Sequence, residues 1–279
     1  MVEDCRDMGN SKGSPAARRQ IGILLKKLRE DAGKTIADVA TSGIAGDTKV
    51  WRIEKGISLP SISDVLGLAW VYKLDSATTQ RLTDMVQEIA SGSGGFWEMY
   101  GDNVPQFLSL TVGMEQTAND ISAFQPELIH GLLQTEPYAL AANHEGDDRQ
   151  RNASLRMARQ REVFDRKDPF AMRFVLGAGA LRRETGGPEV MADQVQHLRQ
   201  LNELPNVSVR VLGWQVGMPA AINGPYTLFK FASAEEESLV YVPGLTGGRY
   251  IHKQDQLVPY QEAFDATWDQ STPIEEYAP

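Results

Sequence analysis

The chain has a single cysteine in 279 residues, Cys5, which excludes an internal disulfide and any cysteine-rich zinc site. Its histidines, His130, His144, His197 and His252, fall at no metal-ligand spacing, so no metal is expected. Long apolar runs are also missing. The longest stretch is far short of the roughly 20 residues that cross a bilayer, and the polar N-terminus has no apolar core of a secretion signal. A cytoplasmic chain without a membrane partner is the expectation. An excess of positive charge is lacking too, with 28 Lys and Arg against 37 Asp and Glu, a net of −9. Catalytic signatures are sparse: there is no Ser-His-Asp order, no phosphate-binding glycine loop and no paired catalytic carboxylates. The stretch GAGALRRETGG is glycine-rich but lacks the strand, GxGxxG and helix order of a dinucleotide site, so no cofactor is expected.

The acidity is unevenly spread. Residues 1–90 hold 13 basic and 12 acidic side chains, a net of +1, whereas residues 91–279 hold 15 and 25, a net of −10. An acidic second part repels a phosphate backbone, so only the first part suits DNA. Between Lys12 and Lys55, 10 Lys and Arg face 5 Asp and Glu, which fits a small DNA-binding module or a solvated basic face.

Helical periodicity organises the first part. RRQIGILLKKLREDAG places Ile21, Leu24, Leu25 and Leu28 on one stripe, with Gly33 as a stop. In TIADVA, Thr35 and Asp38 have the spacing of a capping box that opens a second helix with Ile36, Val39 and Ala40 inward. SGIAG is a turn. Asp47 or Thr48 is then expected to cap a third helix that carries Val50 and Ile53 inward and Lys49, Arg52 and Lys55 outward. Pro60 precedes a second cap pair, Ser61 with Asp64, and a fifth helix buries Leu82, Met85, Val86 and Ile89.

Five short helices in this order, with WRIEKG closing the third and LPSISDVLGLA opening the fourth, resemble the lambda-repressor-like (XRE-type) helix-turn-helix domain over residues 18–90. The resemblance implies that Asp47, Thr48, Lys49 and Arg52 face a DNA groove, that Lys55, Arg18 and Arg19 face phosphates, and that a homodimer binds a two-fold site. Three features depart from the pattern. Asp47 stands where the family often has Gln or Ser, Gly43-Ile44 reverses the usual order of an apolar residue followed by glycine, and Gly46 stands where a hydroxyl cap is common. A carboxylate beside phosphate is repulsive, though it can accept from cytosine N4.

A flexible tail (1–17), the helical module (18–90) and an SGSGG joint (91–95) precede a second domain over 96–270, in which element types alternate from RMARQREVF onward, beginning with a helix there. The stretch beginning at FWEMYGDNV is aromatic at its start and reads as helical later. Strands are expected at FAMRFVLG, VSVRVLGW, YTLFKF and SLVYVPGL, and helices at PEVMADQVQHLRQLNEL and from Asp255 to Asp269, with a tail over 271–279. The fold class is therefore α+β: an all-α five-helix domain followed by an α/β domain with a mixed sheet. The segments GFWEMYGD, FQPELIHGLLQTEPYA, MRFVLGAGALRRETGGPEVM, LPNVSVRVL, INGPYTLFKF and VYVPGLTGG are similar, in order and spacing, to the domain of unknown function (DUF5753-like) of actinobacterial regulators of the Scr1/WhiJ type.

That resemblance implies a transcription regulator whose second domain dimerises, senses a small molecule or docks a small partner protein. Four positions depart from it: Gly177-Ala178 replaces two acidic residues after a strand, Pro243 replaces a glutamate, and His130 replaces a proline. Strand ends gather ligand sites, so an alternative is a regulator fold recruited as an enzyme or ligand carrier of secondary metabolism. The ligand-lining candidates are Phe124, His130, Leu133, Gln134, Phe174, Trp214 and Tyr226, and the proton-transfer candidates are His130 and Glu184. Each has a plainer reading, as core aromatics on strands, a packed histidine, or a solvated Arg182-Arg183-Glu184 run.

Overall fold

A computed structural model describes residues 15–91, 110–143, 148–168, 170–232, 238–244 and 247–277. Cys5, the joint beyond Ser91 and GFWEMYGD lie outside them. The chain divides into two compact units, Met1–Leu110 and Thr111–Pro279.

Among the described residues the first unit holds five helices: α1 (Pro15–Asp31), α2 (Ile36–Thr41), α3 (Asp47–Glu54), α4 (Ile62–Tyr72) and α5 (Ser76–Ser91). Both anticipated capping boxes form. The Thr35 hydroxyl accepts from Asp38 N–H and the Asp38 carboxylate accepts from Thr35 N–H, and Ser61 and Asp64 repeat the exchange at α4. The inward stripes Ile21 and Leu25, Val39, Val50 and Ile53, Val65 and Leu68, and Leu82 and Val86 meet in one apolar cluster. The third helix differs from expectation at its start. Gly46 is its N-cap, with no side-chain cap, and Asp47 is already helical, where its charge favours the positive end of the helix dipole. Two glycines let α1 approach α3. A Cβ on Gly22 would stand 2.3 Å from the Ile53 carbonyl oxygen, and one on Gly56, at φ +71°, would stand 2.5 Å from Arg19 Cα.

The second unit begins with α6 (Leu110–Thr117) and β1 (Asp120–Gln125), then a 3-10 turn (Gly131–Leu133), α7 (Glu136–Ala142) and α8 (Arg149–Phe164). It continues through β2 (Ala171–Gly177), α9 (Ala178–Arg182), α10 (Pro188–Asn202), β3 (Val207–Leu212), β4 (Tyr226–Lys230), β5 (Leu239–Gly244), β6 (Gly247–Ile251), α11 (Gln254–Gln270) and β7 (Thr272–Pro273). The strands form one seven-stranded sheet in the order β6-β5-β4-β1-β2-β3-β7. β1, β2 and β3 run parallel, and the outer strands pair antiparallel, which makes the sheet mixed.

Period-two alternation sends side chains to two faces. One carries Phe124, Val175, Leu212, Tyr226, Leu228 and Val240, which cluster with Leu257 and Phe264 of α11. The opposite face carries Ile121, Ala123, Met172, Phe174, Leu176 and Val209, all buried. Three expectations are revised. The stretch read as helical before α7 contains β1, a central strand of the sheet. His130 caps a 3-10 turn rather than lying in a helix. Residues 271–277, expected as a tail, add β7 to the edge of β3 and bury Ile274 completely, so the chain is held to the sheet well past Gln270.

Candidate functional site

On α3, Asp47, Thr48 and Lys49 are exposed and Trp51 is 38% exposed, while Arg52 and Lys55 are half-buried. The spacing of residues 47, 48, 51, 52 and 55 puts them on one side of the helix, opposite Val50 and Ile53. Trp51 is an addition to the anticipated groove residues. In the sequence Trp51 stands within WRIEKG, and its position four after Asp47 is the signal that puts it on this side of the helix.

The basic side chains are tied in different ways. The Lys49 ammonium lies 2.6 Å from Asp64 Oδ1. Burial raises the Asp64 carboxyl, but Lys49 and the Ser61 amide and hydroxyl outweigh it and hold Asp64 below the usual range. Arg52 Nε donates to the Ser58 hydroxyl at 3.3 Å, and Arg18 Nε donates to the Gly56 carbonyl at 3.1 Å. Arg19 is only 4% exposed, and its backbone lies against Gly56. It is therefore withdrawn from the set expected to face phosphates. Beneath this surface, Arg29 grips Glu54 with two bonds, Nε to Oε1 at 2.6 Å and Nη2 to Oε2 at 2.9 Å, and donates from Nη1 to the Lys34 carbonyl at 2.7 Å. That buried pair locks the C-terminal end of α3 to α1.

In the second unit the expected ligand-lining residues do not share a pocket. Phe124 and Tyr226 lie on the α11 face, with ring centroids 6.2 Å apart, and Tyr226 donates to the Tyr260 carbonyl at 3.3 Å. Phe174 lies on the other face, where the His130 ring packs on it at 5.1 Å. Trp214 is 65% exposed, on a 3-10 turn after β3 rather than on a strand, and the Arg182 guanidinium stacks over it at 5.3 Å. Strand alternation is the physical reason for the separation.

His130, Leu133 and Gln134 belong instead to a buried polar frame around GLLQT, the loop between β1 and α7. Gln160 of α8 donates to the Gly131 carbonyl at 2.7 Å and the Gln134 carbonyl at 2.8 Å. Gln194 of α10 donates to the Leu133 carbonyl at 2.7 Å and accepts from Thr135 N–H at 2.7 Å. Gln134 donates to the Ile129 carbonyl at 2.6 Å and accepts from Arg156. Glu115 of α6, fully buried, pairs with Arg159, with Nε to Oε2 at 2.5 Å and Nη2 to Oε1 at 2.8 Å. Burial pushes the Glu115 carboxyl up against the pull of Arg159 and Arg156. The frame was legible only in part: Arg156, Arg159 and Gln160 sit at i, i+3 and i+4, one face of α8.

Within this frame His130 is held neutral. Its Nδ1 accepts from Leu132 N–H at 3.2 Å, and burial, followed by the charges of Arg159 and Arg156, lowers its pKa to about 3. Glu184, the other proton-transfer candidate, is exposed on the loop after α9, and no hydrogen bond joins it to His130. At the neighbouring strand ends, a Cβ on Gly177 would stand 2.5 Å from the Pro126 carbonyl oxygen, which leaves no room there for an acidic side chain. The carboxylate at that end comes from Glu127, which Arg183 Nη2 reaches at 2.6 Å. Among the described residues, no group of three potential ligands is placed to hold a metal ion, and no helix is long and apolar enough to cross a membrane.

A family model described as a helix-turn-helix domain (HTH_31) matches residues 20–82, and one described as a domain of unknown function (DUF5753) matches residues 108–276. No curated protein and no solved structure matches. The first match supports a DNA-binding regulator. The second covers more than half of the chain, and the chain belongs to the DUF5753 family, here behind a helix-turn-helix domain.

Proposed function

We propose that the protein is a cytoplasmic, XRE-type transcription regulator that binds DNA as a homodimer through α3, with a second unit that binds a small molecule or a partner protein. The observation that carries this reading is the open side of α3. A helix locked from behind by Arg29 and Glu54 turns Asp47, Thr48, Trp51, Arg52 and Lys55 outward. Thr48 and Trp51 suit base edges and thymine methyl groups, and Lys55 and Arg52 suit phosphates. Lys49 joins them by exchanging Asp64 for a base or phosphate. Asp47 favours a site where a cytosine amino group meets its carboxylate.

The test is selection of genomic fragments on the purified full chain at low and moderate salt, with native mass spectrometry for co-purified small molecules. The expected outcome is enrichment of a two-fold sequence that Arg52→Ala abolishes. Failure to enrich any sequence at low salt overturns the regulator. It would favour a regulator fold recruited for small-molecule chemistry or carriage in the second unit.

A further inference from the structure

The helix α4 has a second apolar side. Val65, Leu68 and Ala69 enter the core, yet Ile62, Leu66 and Trp70 are also apolar, spaced four apart, and exposed. Trp70 is 73% exposed, an unusual position for the largest apolar side chain in a well-packed helical unit. Leu66 and Trp70 line a groove of about 760 Å³ whose other walls include Leu74, Lys34, Lys73 and Asp38.

We propose that this groove is the dimer interface of the helix-turn-helix unit, and that its occupant is the same face of a second copy. A two-fold interface must be complementary to itself, so one patch has to carry both the projection and the hollow, and both signs of charge. This patch does. The Ile62-Leu66-Trp70 stripe is the projection, the space beside Leu74 is the hollow, and Lys34 and Lys73 stand on the same rim as Asp38. Nucleic acid is a poor occupant, because Lys34 and Lys73 could hold phosphates only by setting them against an indole, two leucines and the Asp38 carboxylate. In the dimer, each Trp70 enters the groove of the other copy, and Asp38 of each faces lysines across the two-fold axis. The inference rests on the dimeric reading above and names the surface that makes it.

Sedimentation of the full chain over a range of micromolar concentrations tests it. The wild type should be a dimer. Trp70→Ala should raise the dimer dissociation constant by at least about 30-fold, the scale of a buried aromatic anchor, without loss of helicity. Trp70→Phe should retain most of the association, and Trp51→Ala on α3 should leave it unchanged. A monomeric wild type, or a dimer indifferent to Trp70→Ala, overturns the proposal. So does a monomer in which acrylamide fails to quench Trp70, since another part of the same chain then fills the groove. The outcomes separate from those of the DNA test. A monomer that enriches a specific sequence removes the interface and leaves the regulator, whereas a Trp70-dependent dimer that enriches none does the reverse.

Discussion

Replacing His130 by asparagine should remove a defined part of the acid sensitivity of the second unit. In the folded state the imidazole is buried beside Phe174, with two arginines nearby and no carboxylate to share its proton, and its pKa falls from 6.5 to about 3. In the unfolded chain it titrates at its ordinary value. The unfolded state therefore takes up the proton first as pH falls, and folding loses stability from about pH 6.5 downward until the folded pKa is reached. Below pH 6.5 each unit is worth about 1.4 kcal/mol, so the loss from this one group is about 2 kcal/mol between pH 7 and pH 5. That figure is insensitive to the folded value, since a folded pKa one unit higher would change it by only about a tenth of a kcal/mol. Asparagine keeps an acceptor for Leu132 N–H and does not titrate. It loses the ring contact with Phe174, but that cost is the same at every pH and cancels in the comparison. Pulse proteolysis in urea, with fragments of the second unit followed by mass spectrometry at pH 7 and pH 5, gives the two stabilities. The wild type should lose about 2 kcal/mol more than His130→Asn across that interval. His197, whose pKa burial also lowers, adds a slope of the same sign to both proteins. Equal pH dependence in the two would refute the buried, neutral assignment of His130.

In the first unit, Glu54→Ala leaves the Arg29 guanidinium buried and without its bidentate partner. Thermal unfolding should show a loss of about 3–5 kcal/mol, most of it recovered by pairing Glu54→Leu with Arg29→Met. On DNA, Lys55→Ala should flatten the plot of log affinity against log salt by about 0.9 unit per copy, whereas Arg19→Ala should lower stability and leave that slope unchanged. In the second unit, Gln194→Leu orphans the Leu133 carbonyl and the Thr135 N–H. Urea titration should show a loss of about 2–4 kcal/mol, and faster amide exchange confined to residues 131–135 would place the effect in the loop.

The helix-turn-helix could be read from the sequence because its signals are local. Thr35 with Asp38 and Ser61 with Asp64 are three residues apart, and both pairs form the capping boxes their spacing predicts. The inward positions of each helix repeat within two turns. What escaped depends on distant residues. Arg19 is buried where the chain at Gly56 comes against its backbone, and Arg29 where Glu54 meets it from 25 positions away. No pattern within α1 distinguishes these arginines from the solvated lysines Lys26 and Lys27. The second unit was harder for the same reason. β1 is buried on both faces, so DISAFQ shows no clean alternation, and β7 is two residues that become a strand only beside β3.

The candidate ligand residues failed to converge for a related reason. Phe124, Phe174 and Tyr226 each sit on a strand, but which face each occupies is set by register between strands far apart in sequence. Register places Phe124 beside Tyr226 and turns Phe174 toward His130. The polar frame around GLLQT follows a different logic. Three glutamines, two arginines and one glutamate spend their hydrogen bonds on backbone groups and on one another, and glutamines contribute no titratable charge. A loop held this way in four of its backbone groups is stiff. The loop's backbone and Gln134 are held by Gln160 and Arg156 from α8 and by Gln194 from α10. Those helices supply the crossovers on either side of β2, so the loop is tied by hydrogen bonds to the elements that flank the parallel core of the sheet.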